Sequence, residues 1–255
     1  MTEIGESAFD GCSSDLTLVV VRGSYAETYA KQNEIKYRYT EDTEECTHTY
    51  KRKVTPATTK KNGSITQICS KCGAEKGKPT VIYAAKNIKL SKTSFSYNNK
   101  VQKPSVTIKD SKGNALKEDK DYKVAYPKDP KNVGTYNVEI QLKGNYKGTI
   151  TKTFTIMPKA VSLTKVTPKS KGFTAKWKKE TKQVTGYQLS YSTSKDFKKE
   201  KKTDIKNGKT VTKTISKLKA KKTYYVRIRT YKNIKGNTTK LYSKWSQSKK
   251  VTTKN

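Results

Sequence analysis

Four side chains in this sequence have types and spacing that could do chemistry. They are Cys46-x-His48 and, twenty residues further on, Cys69-x-x-Cys72, which use the only histidine and three of the four cysteines. Three thiolates and one imidazole nitrogen make the donor set of a single tetrahedral Zn2+ ion. With all four positions taken by protein there is no open place for water, so the expected role is structural rather than catalytic. The competing account is a disulfide, Cys46 with Cys69 or Cys72, in an oxidising compartment. A disulfide has no use for His48.

For the two half-sites to meet, the chain between them must double back. Tyr50, Val54, Ile65 and Ile68 flank the turn signal Lys61-Asn62-Gly63, and this pattern predicts a small hairpin that brings both ends together. Gly73, directly after the last cysteine, suits a knuckle that needs a positive φ. Residues 43–80 are too few to build a core, so a metal or crosslink must hold them. The segment resembles a short zinc-ribbon-like cysteine-histidine module, C-x-H … G … C-x-x-C-G, that occurs between domains of Gram-positive surface proteins. Cys46-Thr47-His48, Gly63 and Cys69-Ser70-Lys71-Cys72-Gly73 carry the match.

Little other chemistry is on offer. With the single histidine assigned, no histidine remains to activate a serine or cysteine, and there is neither a phosphate-cradling glycine loop nor a recognisable carboxylate pair. The chain is therefore expected not to be an enzyme. Asp110 to Asp121 is acidic but lacks the spacing of a calcium loop, and is expected to be a solvated hairpin with a following loop.

The charge is the other prominent feature. The 255 residues carry a net charge of +35, and arginine supplies only five of the 56 basic side chains: Arg22, Arg38, Arg52, Arg227 and Arg229. Residues 158–255 hold 29 basic and 4 acidic groups, whereas residues 1–42 hold 4 and 8. A field of that size attracts anionic polymers in a salt-dependent way without naming one. Lysine gives hydrated point charge rather than bidentate readout, and the charge lies about a hundred residues from the cysteines, which disfavours nucleic acid as the partner.

Hydrophobic residues make up 32% of the chain, yet 17 Tyr, 5 Phe and 2 Trp supply large buriable bodies with strand propensity. Folded modules with thin cores follow, and the fold class is mainly β: tandem β-sandwiches preceded by two smaller modules. Residues 1–42 contain the apolar run Leu16 to Val21, a strand, and then Tyr25, Ala26, Tyr29 and Ala30 at helical spacing. Ala8-Phe9-x-Gly11-Cys12 and Gly23-Ser24-Tyr25-Ala26-Glu27 with Tyr29, Ala30, Asn33, Ile35 and Tyr37 resemble the last turn and cap of a BspA-like leucine-rich repeat array. That resemblance implies that Cys12 is a packed core residue.

Residues 81–157 alternate as half-buried strands, among them Val106 and Ile108, Tyr122 to Tyr126, Tyr136 to Leu142 and Ile150 to Ile156. The turn signals are Ser111 to Asn114, Val133-Gly134-Thr135 and Gly144-Asn145-Tyr146. The stretch Asp121 to Ile156 resembles an immunoglobulin-like repeat of bacterial surface proteins. Residues 158–255 resemble a fibronectin type III domain. Trp177 matches the buried indole of its second strand, Gly186 to Tyr191 its third, Leu218 and Tyr224 its tyrosine corner, and Trp245 the start of its last strand. Trp245 near a strand edge is also a candidate for stacking on a sugar.

These resemblances imply an extracellular protein of the bacterial cell surface, with its export signal in a part upstream of Met1. No stretch is long and apolar enough to span a bilayer. The expected role is structural or adhesive: a stalk of β-modules whose basic C-terminal domain associates with anionic cell-wall polymers or with host extracellular glycan or protein. The alternatives are a nucleic-acid-binding protein using the basic surface and the zinc-ribbon-like site, and an accessory binding module of a secreted glycan-active protein.

Overall fold

The structure, a computed structural model, describes residues 4–5, 7–40, 46–234 and 239–255. The Met1-Thr2-Glu3 start and the boundary expected between residues 42 and 43 lie outside them. The chain forms two compact units: residues 1–55 with 64–81, and residues 56–63 with 82–255. Nearly all regular structure is β.

The first unit begins with β1 (Thr17–Val20), α1 (Tyr25–Gln32) and β2 (Lys36–Tyr39). Strands β1 and β2 pair in parallel, from Thr17 opposite Lys36 to Val20 opposite Tyr39, with α1 as the crossover. The helix starts where Ser24 accepts a hydrogen bond from the Glu27 N–H at 3.3 Å, while the Glu27 carboxylate accepts one back from the Gly23 N–H. Lys31, Tyr39 and Gly23 all donate to Glu27, the lysine contributing most, and hold its carboxyl down at about 2.

The leucine-rich-repeat resemblance led to the expectation that Cys12 is a packed core residue. It is exposed. The reason is the size of this element: β1, β2 and α1 bury Val20, Tyr29 and Ala30, and among the described residues the turns before β1 reach that cluster through half-buried Phe9, whose ring meets Tyr29 edge-on at 6.0 Å, and through the Gly5 carbonyl, which accepts from the Tyr29 hydroxyl at 3.1 Å.

Two further strands, β3 (Tyr50–Thr55) and β4 (Gly63–Cys69), form an antiparallel hairpin running from Tyr50 opposite Cys69 to Thr55 opposite Ser64. The reversal is wider than the turn expected at Lys61 to Gly63. Residues 56–62 form the connection, with Thr58 Oγ1 accepting from the Lys60 and Lys61 N–H groups at 3.1 and 3.0 Å. Gly63 is already strand. A short strand, β5 (Thr80–Ile82), completes this sheet.

In the second unit, β6 (Ala85–Leu90) pairs with β8 (Val106–Asp110), and β7 (Ser94–Ser96), β11 (Gly148–Met157), β10 (Gly134–Leu142) and β9 (Tyr122–Ala125) form a four-stranded sheet in that order. Alternate residues of these strands enclose Ile108, Val138, Ile140, Phe154 and Ile156. Gly134 and Thr135, read from sequence as a turn, instead open β10 opposite Ile156 and Thr155. Asp110 is buried, not solvated. Its carboxylate accepts from the Lys112 and Asn114 N–H groups and from Asn114 Nδ2 at 2.8, 2.9 and 3.0 Å, which closes the turn after β8.

Met157 ends β11, and its carbonyl accepts from the Tyr97 N–H at 2.8 Å. The next sandwich has β12 (Leu163–Lys169), β13 (Gly172–Trp177) and β16 (Thr212–Ile215) in one sheet. The other holds β15 (Lys201–Ile205), β14 (Gly186–Ser192), β17 (Thr223–Asn233) and β18 (Lys240–Tyr242), with β19 (Lys249–Thr252) also on β17. Both sheets contribute to one core of Leu163, Phe173, Trp177, Tyr187, Leu189, Val226, Ile228 and Val251.

The turns of this sandwich are unusual in composition. Lys171, Lys199, Lys217 and Lys221 have φ of +43°, +49°, +60° and +49°, and Phe197 has +59°. Lysine gains nothing locally in this left-handed region, where glycine and asparagine are the usual residues, and each such position costs on the order of 1 kcal/mol.

Candidate metal centre

The β3–β4 pairing determines where the ligands go. Tyr50 and Cys69 are partners at the open end of the hairpin, so the residues just before β3 and just after β4 emerge side by side. Cys46 and His48 lie on the first of these segments; Cys69 is the last residue of β4, and Cys72 lies on the second. The second folds back at once: Gly73 has φ +77°, its N–H donates to the Cys69 carbonyl at 3.0 Å, and the Cys69 N–H donates to Ala74 at 2.8 Å. The Ser70 N–H ties the two segments together by donating to Thr49 at 3.0 Å.

The ligand atoms of Cys46, His48, Cys69 and Cys72 all lie within 4.8 Å of one another. The Cys46 and Cys69 sulfurs are 3.6 Å apart, and the Cys72 sulfur is 3.3 Å from His48 Nδ1. Zn–S and Zn–N bonds of about 2.3 and 2.0 Å give a tetrahedron with edges of roughly 3.5–3.8 Å, so the donor set and its spacing fit a small tetrahedral cation. A disulfide would need its sulfurs at about 2.05 Å, and all four cysteines are free thiols.

The cluster is electrostatically uneven. The Cys72 backbone contributes most, and His48 next, to holding the Cys69 thiol down at about 5, with the Lys71 N–H donating to the same sulfur at 3.4 Å. A hydrogen bond with Cys72, followed by burial, pushes Cys46 up to about 11. Buried Cys69 is thus the natural first thiolate of the set, and a divalent cation would draw the remaining protons off. His48 is further placed by its ring contact with Tyr50 at 5.4 Å.

The remaining sequence-derived positions lie in the C-terminal sandwich. Trp177 is buried against Tyr187 with ring centres 5.3 Å apart, Tyr224 is buried in the same core, and half-buried Leu218 packs against it. Trp245 lies outside strand, ahead of β19, rather than opening the last strand. Its ring is stacked by two guanidinium groups, Arg229 at 4.2 Å and Arg227 at 4.4 Å. The half-buried Trp245 ring is thus engaged within the chain by both arginines. Arg229 also stacks on Tyr242 at 3.7 Å and Arg227 on Phe197 at 3.8 Å, so that aromatic and guanidinium groups alternate along the outer face of β17.

Polar partners fix the two arginines. Arg229 donates to Gln188 Oε1 at 2.6 and 3.0 Å, and Arg227 pairs with Glu200 at 2.6 Å. Sequence reasoning missed this ladder. Its signal was present: Arg227-x-Arg229 is the one place where arginines alternate on a strand in a chain otherwise rich in lysine.

The two-sheet order and the buried Trp177 and Tyr224 agree with a family match found for the chain. Residues 157–247 form a fibronectin type III domain. Comparison with curated proteins finds no match. Among solved structures, the chain is similar to the FN1–FN3 domains of chicken CNTN1, with 13% identity, 76% of this chain and 78% of that one covered, and a TM-score of 0.33. It is also similar to a beta-1,2-glucanase from Parabacteroides distasonis, with 14% identity, 47% and 18% covered, and a TM-score of 0.31. The fibronectin type III domain contains the whole guanidinium ladder.

Proposed function

We propose that this chain is a non-catalytic extracellular β-module protein with a structural or adhesive role, whose basic C-terminal domain associates with anionic wall polymers or host glycans. Fibronectin type III domains are typical of extracellular proteins and often serve such roles, and no helix among the described residues is long and apolar enough to cross a membrane. The observation that carries the reading is the division of labour among the basic residues of the domain. Arg227 and Arg229 are consumed in internal stacking, while lysines such as Lys198, Lys213, Lys219 and Lys250 stand exposed. The exposed lysines are the part of the field available to a partner.

The Cys46, His48, Cys69 and Cys72 cluster serves as a structural zinc site in this reading. A bound zinc ion would cross-link the two ends of the hairpin, where the module has almost no core of its own. The resemblance of residues 1–42 to a leucine-rich-repeat cap adds a recognition array to the same picture.

The test is retention of the purified chain on sulfated-dextran and neutral-dextran resins, together with metal content by mass spectrometry. Retention on the sulfated resin only, released by salt, with one zinc per chain, is the expected result. A chain that passes through both resins at about 0.15 M salt would end the anionic-partner reading.

A further inference from the structure

The connections between β12 and β13, β14 and β15, and β16 and β17 meet at one end of the fibronectin type III domain. The register requires it: Phe173 at the start of β13 pairs with Ile215 at the end of β16, and Ser192 at the end of β14 with Tyr225 near the start of β17. The chain end is tied in as well. The Lys254 N–H donates to the Lys169 carbonyl at 2.9 Å, and the Thr253 hydroxyl donates to Lys219 at 2.6 Å.

A cleft of about 370 Å³ opens there, within the range of roughly 300–1,000 Å³ usual for small-ligand sites. Its walls include Tyr191 and Tyr224 and four lysines, Lys199, Lys201, Lys219 and Lys222. None of the four lysines takes part in an ion pair among the described residues, although Glu200 is close in sequence. Its carboxylate is engaged by Lys202 at 2.6 Å and Arg227 at 2.6 Å. The cleft therefore gathers positive charge with no internal counter-ion.

The backbone at this end is held in conformations that lysine does not favour. Lys199 on the cleft wall, and Lys171, Lys217 and Lys221 on the turns beside it, all have positive φ. Glycine or asparagine would serve such turns better, so lysine there adds charge at the expense of local backbone preference.

We propose that this cleft binds a segment of anionic polysaccharide, with a sugar unit against the open part of half-buried Tyr191 and its carboxylate or sulfate groups on Lys199, Lys201, Lys219 and Lys222. The inference rests on the anionic-partner reading above and names the site within it. Half-buried Tyr191 beside the lysines favours a glycan over a bare phosphate chain, since the open part of its ring offers a sugar apolar contact that a phosphate chain would leave unused.

The experiment uses the full chain and three probes at about 0.15 M salt: a short sulfated dextran, neutral dextran of the same length, and linear polyphosphate of matched charge. Lys219→Gln/Lys222→Gln is compared with Lys178→Gln/Lys179→Gln, which removes the same charge from the β13–β14 connection at the opposite end. Melting curves confirm that both variants fold. The expected result is a loss of sulfated-dextran affinity of roughly fivefold or more for the cleft pair and less than about twofold for the control pair, with polyphosphate bound more weakly. Equal losses from both pairs would mean diffuse attraction and overturn the site while leaving the anionic-partner reading intact. Polyphosphate binding as tight as sulfated dextran would overturn the glycan assignment, and no binding of any polyanion would remove both readings.

Discussion

The guanidinium of Arg229 stacks on the Trp245 ring at 4.2 Å while donating two hydrogen bonds to Gln188. A lysine can reproduce neither the planar stack nor the forked hydrogen bond. Arg229→Lys is therefore expected to destabilise the domain by about 1–2 kcal/mol, although it keeps the charge. Urea unfolding followed by tryptophan fluorescence measures this. An unchanged midpoint would mean that the ladder is ornamental.

Glu200 supplies a pH signature. Burial raises its pKa, but hydrogen bonds from Lys202, Ser190 and Arg227 outweigh that and hold it at about 2, below the ordinary 4.5. A carboxyl with a lowered folded-state pKa stabilises the fold fully above about pH 4.5, and that stabilisation is lost as pH falls toward 2. Glu200→Gln should cost roughly 1–3 kcal/mol at neutral pH and flatten the stability profile over that acid window. Denaturation curves at a series of pH values would show it.

Much of the fold was legible because the strands obey a period of two. Val138, Ile140 and Leu142 alternate with exposed neighbours, and Trp177 and Tyr224 fill the core positions their sequence context indicated. The clustering of Cys46, His48, Cys69 and Cys72 was legible because few residues of those types exist to be arranged. What sequence could not reveal were features produced by strand pairing. Glu200 and Arg227 are brought together by two different strand pairings of β14, and Trp245 meets its arginines only after β17 is in the sheet. Cys12 was misread because a resemblance supplied a packing partner that the described residues do not.

Close approach of strands makes another test. A Cβ at Gly186 would run into the Ile205 carbonyl oxygen and come within 2.9 Å of the Tyr231 ring, and β14 cannot move away because it is paired on both sides. Gly186→Ala is expected to cost about 3 kcal/mol or more. Gly113, at φ +94° but in open space, provides the control, and Gly113→Ala should cost only about 1 kcal/mol. Similar losses at the two sites would contradict the packing described for β14.

The strained lysines predict a gain. Lys221 has φ +49°, whereas its neighbour Lys222 is not in the left-handed region. Lys221→Gly should raise stability by about 0.5–1 kcal/mol, and Lys222→Gly should lower it by a similar amount. Thermal melts of the two variants compare them directly. Loss of stability in both would remove the strain argument.

At the metal centre, His48→Ala should abolish stoichiometric zinc and leave Cys46, Cys69 and Cys72 reactive to thiol reagents. Cys12→Ser should leave the metal content unchanged, since Cys12 is not one of the four clustered residues. Metal analysis with thiol titration separates the two variants. Retention of zinc by His48→Ala would rule the imidazole out as a ligand.

The separation of roles between guanidinium and ammonium groups gives the fibronectin type III domain a surface that can be rewritten chemically. Acylating reagents convert primary amines to neutral amides but leave guanidinium groups alone. Exhaustive acetylation would therefore erase most of the outward positive charge without touching the Arg227 and Arg229 stacks on Trp245. Residues 158–255, with 27 lysines, two arginines and four acidic groups, would pass from strongly cationic to nearly neutral with both stacks kept, a comparison not open to a domain whose surface charge is carried by arginine.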